Sequence, residues 1–418
     1  MKRVVLVAVG SQGDVEPCLA LGRGLIDAGW SVRLGALAPF GARAAALGLE
    51  FHSLGELPAR FRASRRRRPT FSGVLGRVLF WSVYQRLLAG YLPAFEEVCR
   101  GADVIVHTGL AFPAYHLAES RGIPCAALSF VPGAATAAFA HPLFAGERLS
   151  FGPRRNLASY AVEQQLMTQS TARLVAPWRR RLGLAPVARG RLRAHRWEHT
   201  DALLCAVSPA LLPRPADWGP RVHQTGFLHA VDAPPRPELR AFLDADDAPV
   251  YVGFGSMTAR DGERTAQAVA VALGRLGLRG VLARGWGGLA PERAPHLCVV
   301  DDVPHGWLFE RVRAVVHHGG AGTTAAALRA GRVSVVVPFD YDQRFWARLL
   351  AERGLGPAPL PREQLDANTL ERRLRSALET PSYAAHLAPL AGALRHEDGV
   401  REAIRVLESL VEPRSRGA

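Results

Sequence analysis

Lysine is almost missing from this chain. Lys2 is the single one, so 51 of the 52 basic residues are arginine. Arginines spread along the whole length read as the codon bias of a GC-rich genome. They weaken any step from the net charge of +15 to a nucleic-acid partner, which would show a basic stripe with interleaved aromatics. Apolar runs of the roughly 18 residues that span a bilayer are absent too. The five cysteines are odd in number and widely spaced, and no CxxC pair occurs. That argues against a disulfide framework or a zinc knuckle and for small buried hydrophobes. None of the 14 histidines falls in an HExxH pattern.

What is present has a globular composition, with 48% hydrophobic and 21% charged residues. A length of 418 residues suits two domains. The opening MKRVVLVAVGSQGD has a short apolar run followed at once by a Gly-rich loop. It is read as the first β-strand of a cytoplasmic protein rather than as a leader. Strand-like runs at residues 4–9, 32–36, 104–107, 125–130 and 203–207 alternate with helical patterns at 19–28 and 114–121. The Pro-rich stretch 208–249, with a short extended piece at 222–227, reads as a linker. Alternation then restarts, with strands expected at 250–254, 280–283, 297–300, 314–317 and 334–337. The expected fold class is α/β, with two facing Rossmann-like doubly wound domains and an interdomain cleft. The expected divisions are 1–215, a linker at 216–248, a second domain at 249–395, and a final helix and tail at 396–418 returning to the first domain.

Ligands of open α/β sheets bind beyond the carboxyl ends of the strands. Three loops there carry chemistry. The first is Gly10-Ser11-Gln12-Gly13-Asp14. Its spacing is GxxG, not GxGxxG, and the second strand ends without an acid for a ribose, which argues against NAD. Asp14 reads as a helix N-cap or as a general base whose charged form the helix start favours. The second is His317-His318-Gly319-Gly320-Ala321-Gly322-Thr323-Thr324, a Gly-rich strand-to-helix turn suited to a diphosphate. The blander reading is a tight turn with a structural histidine. The third is Asp340-Tyr341-Asp342-Gln343, whose carboxylates and amide suit sugar hydroxyls. It also spells a DxD metal pattern, and Asp342 alone reads as an N-cap.

Together these residues resemble the GT-B fold, family 1 glycosyltransferases. The likeness is to actinobacterial natural-product enzymes of the glycopeptide-antibiotic type and to bacterial sterol-glucosyltransferase-like proteins. It rests on VAVGSQGDVEP, DDVPHGWLF, HHGGAGTTAAALRAGRVSVVVPF and DQRFWARLLAERGLGPAPL, and covers nearly the whole chain. The resemblance implies inverting transfer of a sugar from a UDP- or TDP-sugar co-substrate, with no cofactor and no essential metal. By motif it places Ser11, Ser256, His318, Gly320, Gly322 and Thr323 at the donor phosphates. It places Val303 at the pyrimidine, Asp342 and Gln343 at the sugar hydroxyls, and Asp14 at the position of the catalytic base.

Two departures stand out. Plant-type members of the family carry a histidine at the base position, backed by an aspartate; here those positions are Asp14 and Thr108, with His107 beside the latter as an alternative base. Plant members also stack a tryptophan on the nucleobase, where this chain has Asp302-Val303, leaving Trp286 as a candidate.

In the family, acceptors bind the N-terminal half. The apolar helical stretch 71–98, with Trp81 and Tyr84, and also His107 and Phe112, form the expected acceptor wall. The acceptor is then largely apolar: a natural-product aglycone, a sterol or a lipid. The arginines at 65–68 read either as a solvated loop or as a weak peripheral contact with the inner membrane face. Two other functions compete. A nucleotide-sugar 2-epimerase would show a more acidic, polar first domain. A non-catalytic helper of another transferase would show a decayed donor loop.

Overall fold

The computed structural model describes residues 1–56, 73–146, 148–231, 236–245, 247–255, 262–285, 288–291, 294–301 and 303–412, and only the backbone of 73–77 and 79. Two parallel sheets organise it. The first has seven strands: β1 (Arg3–Val7), β2 (Ser31–Ala36), β3 (Glu50–Ser53), β4 (Val104–Thr108), β5 (Cys125–Ser129), β6 (Ala202–Cys205) and β7 (Val222–Gln224), in the order β3-β2-β1-β4-β5-β6-β7. The second has five: β8 (Val250–Gly253), β9 (Gly280–Ala283), β10 (Leu297–Val300), β11 (Ala314–His317) and β12 (Val333–Val336), in the order β10-β9-β8-β11-β12. The expected α/β class with two doubly wound domains is what the chain forms.

The helices that position the site are α1 (Gln12–Asp27), α2 (Gly73–Val98), α3 (Tyr115–Arg121), α4 (Pro153–Arg181), α5 (Leu192–Glu198), α6 (Ala321–Arg329), α7 (Gln343–Glu352) and α8 (Gly399–Val411). Central strands such as Val4–Val7 and Ala314–His317 are buried throughout, as parallel strands covered on both faces must be. Helix α8 returns to the first sheet's core, where Ala403, Val406 and Leu407 pack with α1 residues such as Leu21 and Leu25. On one side the two units share a core: Phe139 lies 5.8 Å from Phe345, and Phe227 lies 6.3 Å from Trp346.

Strand order reverses between β1 and β4 in one sheet and between β8 and β11 in the other. At each reversal the following loops part and leave a crevice. Val7 pairs with His107 at the first, and Gly253 with His317 at the second. The register therefore sets the loops after β1, β4, β8 and β11 around one cleft. The extended piece read inside the linker belongs to the first sheet: Val222–Gln224 pairs with Leu203–Cys205 as β7. Among the described residues, no helix is long and apolar enough to cross a membrane.

Candidate active site

The cleft has a volume of about 2920 Å³. That exceeds the roughly 300–1,000 Å³ of a single small-molecule pocket and leaves room for two substrates. Residues from both sheets line it, including Ser11, Asp14, Trp81, Tyr84, His107, Val303, His318, Gly320, Gly322, Thr323, Asp342 and Gln343.

Asp14 is not the N-cap of α1. Ser11 holds that place, and Asp14 is the third helical residue. Its Oδ2 accepts the Ser11 backbone N–H at 2.8 Å and lies 3.4 Å from Ser11 Oγ. The side chain folds against Gly10, whose φ is +149°. A Cβ on Gly10 would stand 2.1 Å from that oxygen, so only glycine fits. Burial raises the Asp14 pKa from 3.8 to about 6, against the pull of the Ser11 N–H and with help from the Asp342 carboxylate.

His107 ends β4 fully buried. Its Nδ1 sits 3.1 Å from the Thr108 carbonyl, which accepts only, so the proton is on Nδ1. Nε2 is then a lone pair with no hydrogen-bond partner among the described residues. Burial first, and then the Arg196 charge, push its pKa down to about 3.

On the other side of the cleft, β11 delivers the two histidines to different tasks. His317 is buried and its Nδ1 accepts the Gly319 N–H at 3.1 Å, which shapes the turn. His318 turns toward the cleft, with its ring over Gly255 and Gly320. A Cβ on Gly320 would come within 2.4 Å of Nε2. Burial and the neighbouring His305 hold its pKa down to about 4, against a backbone hydrogen bond to Gly253, so the ring is neutral in the empty cleft, not the charge that the motif alone suggests. Gly320 caps α6 without a side-chain hydrogen bond. The first amides of α6, including those of Gly322 and Thr323, therefore meet the cleft without a side-chain cap.

The third loop is built around Gln343. Its Oε1 accepts the backbone N–H groups of Phe339 (2.8 Å) and Asp340 (3.1 Å). Asp342 does cap α7, yet its carboxylate accepts the Trp346 indole N–H at 2.7 Å instead of a helix amide. Burial raises its pKa. Asp340 Oδ1 takes the Tyr341 N–H at 2.8 Å. The two aspartates of the DxD pattern thus face different partners.

The acceptor wall is partly as expected. Trp81 and Tyr84 line the cleft, with the Trp81 indole donating to Glu163 Oε1 at 3.3 Å and the Tyr84 hydroxyl to the Leu110 carbonyl. Phe112 does not line it. It lies one layer deeper, 2% exposed, beneath the Arg196 guanidinium. Ser256, Trp286, Asp302 and the arginines at 65–68 lie outside the described residues. Sequence reading missed Glu163, Arg196 and His305, which also line the cleft. Only the fold brings them there. Among the described residues, one trio has metal-ligand spacing: His116, Glu119 and His195. None of it lines the cleft, and Arg179 already donates to Glu119 at 2.5 and 2.9 Å.

Two family models match this chain. Residues 4–140 match the glycosyltransferase family 28 N-terminal domain, and residues 292–410 match the erythromycin biosynthesis protein CIII-like C-terminal domain. Over its full length the chain is similar to two proteins of Arabidopsis thaliana. It is 34% identical to sterol 3-beta-glucosyltransferase UGT80B1 and 33% identical to sterol 3-beta-glucosyltransferase UGT80A2, covering 98% and 96% of this chain. It spans 68% and 64% of the lengths of those relatives. Among solved structures it resembles the calicheamicin glycosyltransferase CalG4 (TM-score 0.71, 20% identity, 99% of each chain). It also resembles the glycosyltransferase VinC in complex with dTDP (TM-score 0.67, 17% identity, 98% of this chain and 99% of that one).

Proposed function

The chain belongs to the GT-B family 1 glycosyltransferases, and we propose that it moves a sugar from a UDP- or TDP-sugar to a hydroxyl of a largely apolar acceptor, with inversion and with Asp14 as the general base. One observation carries this reading. The Ser11–Asp14 loop after β1 and the His318–Thr323 loop after β11 line the same cleft from different sheets.

The donor's diphosphate fits the start of α6. Backbone amides around Gly320–Thr323 and the neutral His318 ring supply N–H groups, and the helix dipole favours the negative charge. These contacts strengthen as charge moves onto the leaving diphosphate. Val303 is assigned to the nucleobase, and Asp342 and Gln343, on the α7 loop, to the sugar hydroxyls; all three line the cleft. The acceptor lies against Trp81 and Tyr84. Its hydroxyl oxygen attacks the anomeric carbon from the face opposite the diphosphate. The C–O bond to the diphosphate breaks as the new one forms, and the hydroxyl proton passes to the Asp14 carboxylate. A pKa near 6 leaves Asp14 ionised at neutral pH, yet basic enough to take the proton as it is released. One displacement without a covalent intermediate inverts the centre.

An apolar acceptor is supported by the aromatic wall and by the two relatives named for sterols. That wall counts against an epimerase, and the uncapped α6 start together with the shaped α7 loop counts against a helper. The test is a panel of UDP- and TDP-sugars with sterol and aglycone acceptors in EDTA, read by acceptor-dependent nucleotide release. Release that needs no acceptor, or none with any pair, would overturn the reading. Loss in EDTA restored by magnesium would move Asp340 and Asp342 to a metal role.

A further inference from the structure

Arg196 sits in a place where an arginine is poorly served. It projects from α5 into the lining of the acceptor side of the cleft, beside Tyr84, His107 and Met167. Its guanidinium carbon stands 5.1 Å over the Phe112 ring. One N–H points to the Met167 sulfur at 3.5 Å, a weak acceptor. Among the described residues no carboxylate pairs with it, and the neighbouring Tyr84, Tyr115 and Cys125 are held neutral by burial. Glu163, one helical turn from Met167, receives the Trp81 indole.

A guanidinium carries five N–H donors in a rigid fork and stays charged in a protein. Half-buried against an aromatic ring and without a carboxylate partner, it gives up part of its hydration uncompensated. Its neighbours feel the charge: it depresses His107, already neutral from burial. Several other arginines of this half pair with carboxylates, among them Arg33 with Glu50 and Arg181 with Glu96. Arg179, more deeply buried than Arg196, is met by Glu119 at 2.5 and 2.9 Å. The contrast separates a structural arginine from one whose partner arrives with a ligand. Tyr84, Leu110 and Met167 line the cleft together with Arg196, so a partner held there can lay an apolar body against them. A planar carboxylate matches the fork in two parallel hydrogen bonds.

Resting on the glycosyltransferase reading, we propose that Arg196 is an anchor for an anionic acceptor: the molecule that fills this side of the cleft is an apolar hydroxy acid, whose carboxylate pairs with Arg196 while its hydroxyl is presented to Asp14. Arg196 sets acceptor choice and takes no part in bond making.

The experiment compares a hydroxysteroid bearing a side-chain carboxylate with its primary amide, which has the same shape and no charge. Equilibrium binding of each is measured by titration calorimetry on the full chain, and sugar transfer by nucleotide release. The acid should bind about 10- to 100-fold more tightly than the amide, the range for a hydrogen-bonded charged pair. Arg196→Met should erase that preference while leaving the amide's binding unchanged and UDP or TDP affinity intact. Arg196→Lys, which keeps charge but loses the fork, should keep part of it. Equal binding of acid and amide by the wild type overturns the proposal, as does failure to bind either. So does an Arg196→Met loss that is the same for both. Free acetate restoring amide binding to the level of the acid overturns it too, since the site would then take a separate anion. If the acid preference is present but no sugar moves to either acceptor, the glycosyltransferase reading fails while the anchor stands.

Discussion

Asp14 and Asp342 hang from loops of different sheets and face one cleft, and the Asp342 charge helps hold the Asp14 pKa up at about 6. Burial is the larger cause, and a like charge brought from the other domain adds to it, so Asp14 is poised near neutrality. In the proposed reaction, kcat/KM should therefore fall about tenfold per pH unit below 6 and level off above about 7, since it reports the ionisation of the free enzyme. Asp14→Asn should lower transfer by about 10²–10⁴-fold and abolish that acid limb. A wild-type profile flat from pH 5 to 8, or an Asp14→Asn variant with the parent's rate, would leave Asp14 a helix-start residue and make His107 the next base to test.

The same shift makes a statement about stability. The folded pKa of about 6 lies above the unfolded value near 3.8. Between these pH values the native state binds more protons, so stability falls as pH rises and the penalty is complete above about 6. A shift of this size corresponds to up to about 3 kcal/mol. Asp14→Asn should then be more stable than the parent at pH 8 and about equal to it at pH 4. Thermal melts of both proteins at the two pH values decide it. A variant destabilised equally at both would show that the capping geometry outweighs the buried charge.

How much of this was legible in the sequence depended on what each segment buries. Strands β1, β4 and β11 have apolar cores and end in conspicuous loops, so the strands and the loops after them could be read, though not the strand order that sets them around one cleft. Strand β3 is four residues, Glu50–Ser53, at a sheet edge with no fully buried residue, and carries no apolar pattern. The 29-residue α4 buries Asn156, Glu163, Thr168, Thr171 and Arg179, so its inner face is too polar to register as a stripe. The roles of His317 and His318 were ordered by position, yet the neutrality of the His318 ring depends on burial and on His305, 13 residues earlier in the chain. Arg196 is one arginine among 51 until the fold sets it in the cleft.

The difference between the paired histidines is open to direct test. His318→Ala removes a donor aimed at the developing charge of the diphosphate and should lose about 2–4 kcal/mol of transition-state stabilisation. Because the ring is neutral when the cleft is empty, His318→Gln, which keeps an N–H donor, should recover part of the loss. His317→Ala removes the acceptor of the Gly319 N–H. It should lower the melting temperature more than it weakens UDP or TDP binding. Single-turnover transfer and nucleotide affinity for the three variants check this; His318→Ala with both unchanged would remove His318 from the donor site.

Tyr341 brings the last prediction, because its backbone and its ring make opposite demands. Among the described residues it is the non-glycine with positive φ, at 58°. The left-handed conformation costs an ordinary residue about 1–2 kcal/mol, and asparagine less. The loop nonetheless holds it there: Asp340 Oδ1 takes its N–H at 2.8 Å, and Gln343 Oε1 ties down Phe339 and Asp340. What the strain achieves is reach. The Tyr341 ring meets Phe80 of α2 edge-on, 6.0 Å between centroids, joining the proposed sugar loop to the acceptor wall. An aromatic pair of this kind contributes about 0.5–1.5 kcal/mol. Tyr341→Ala loses the ring and keeps the strain, so it should be less stable than the parent. Tyr341→Asn loses the ring and relieves the strain, so it should melt above Tyr341→Ala and close to the parent. Both should raise the acceptor KM by a similar factor and leave nucleotide affinity alone, because the proposed nucleotide contacts come from Val303 and the start of α6 rather than from the Tyr341 ring. If the two variants melt together, the backbone is not strained. If the acceptor KM does not move, the ring is no part of the acceptor wall.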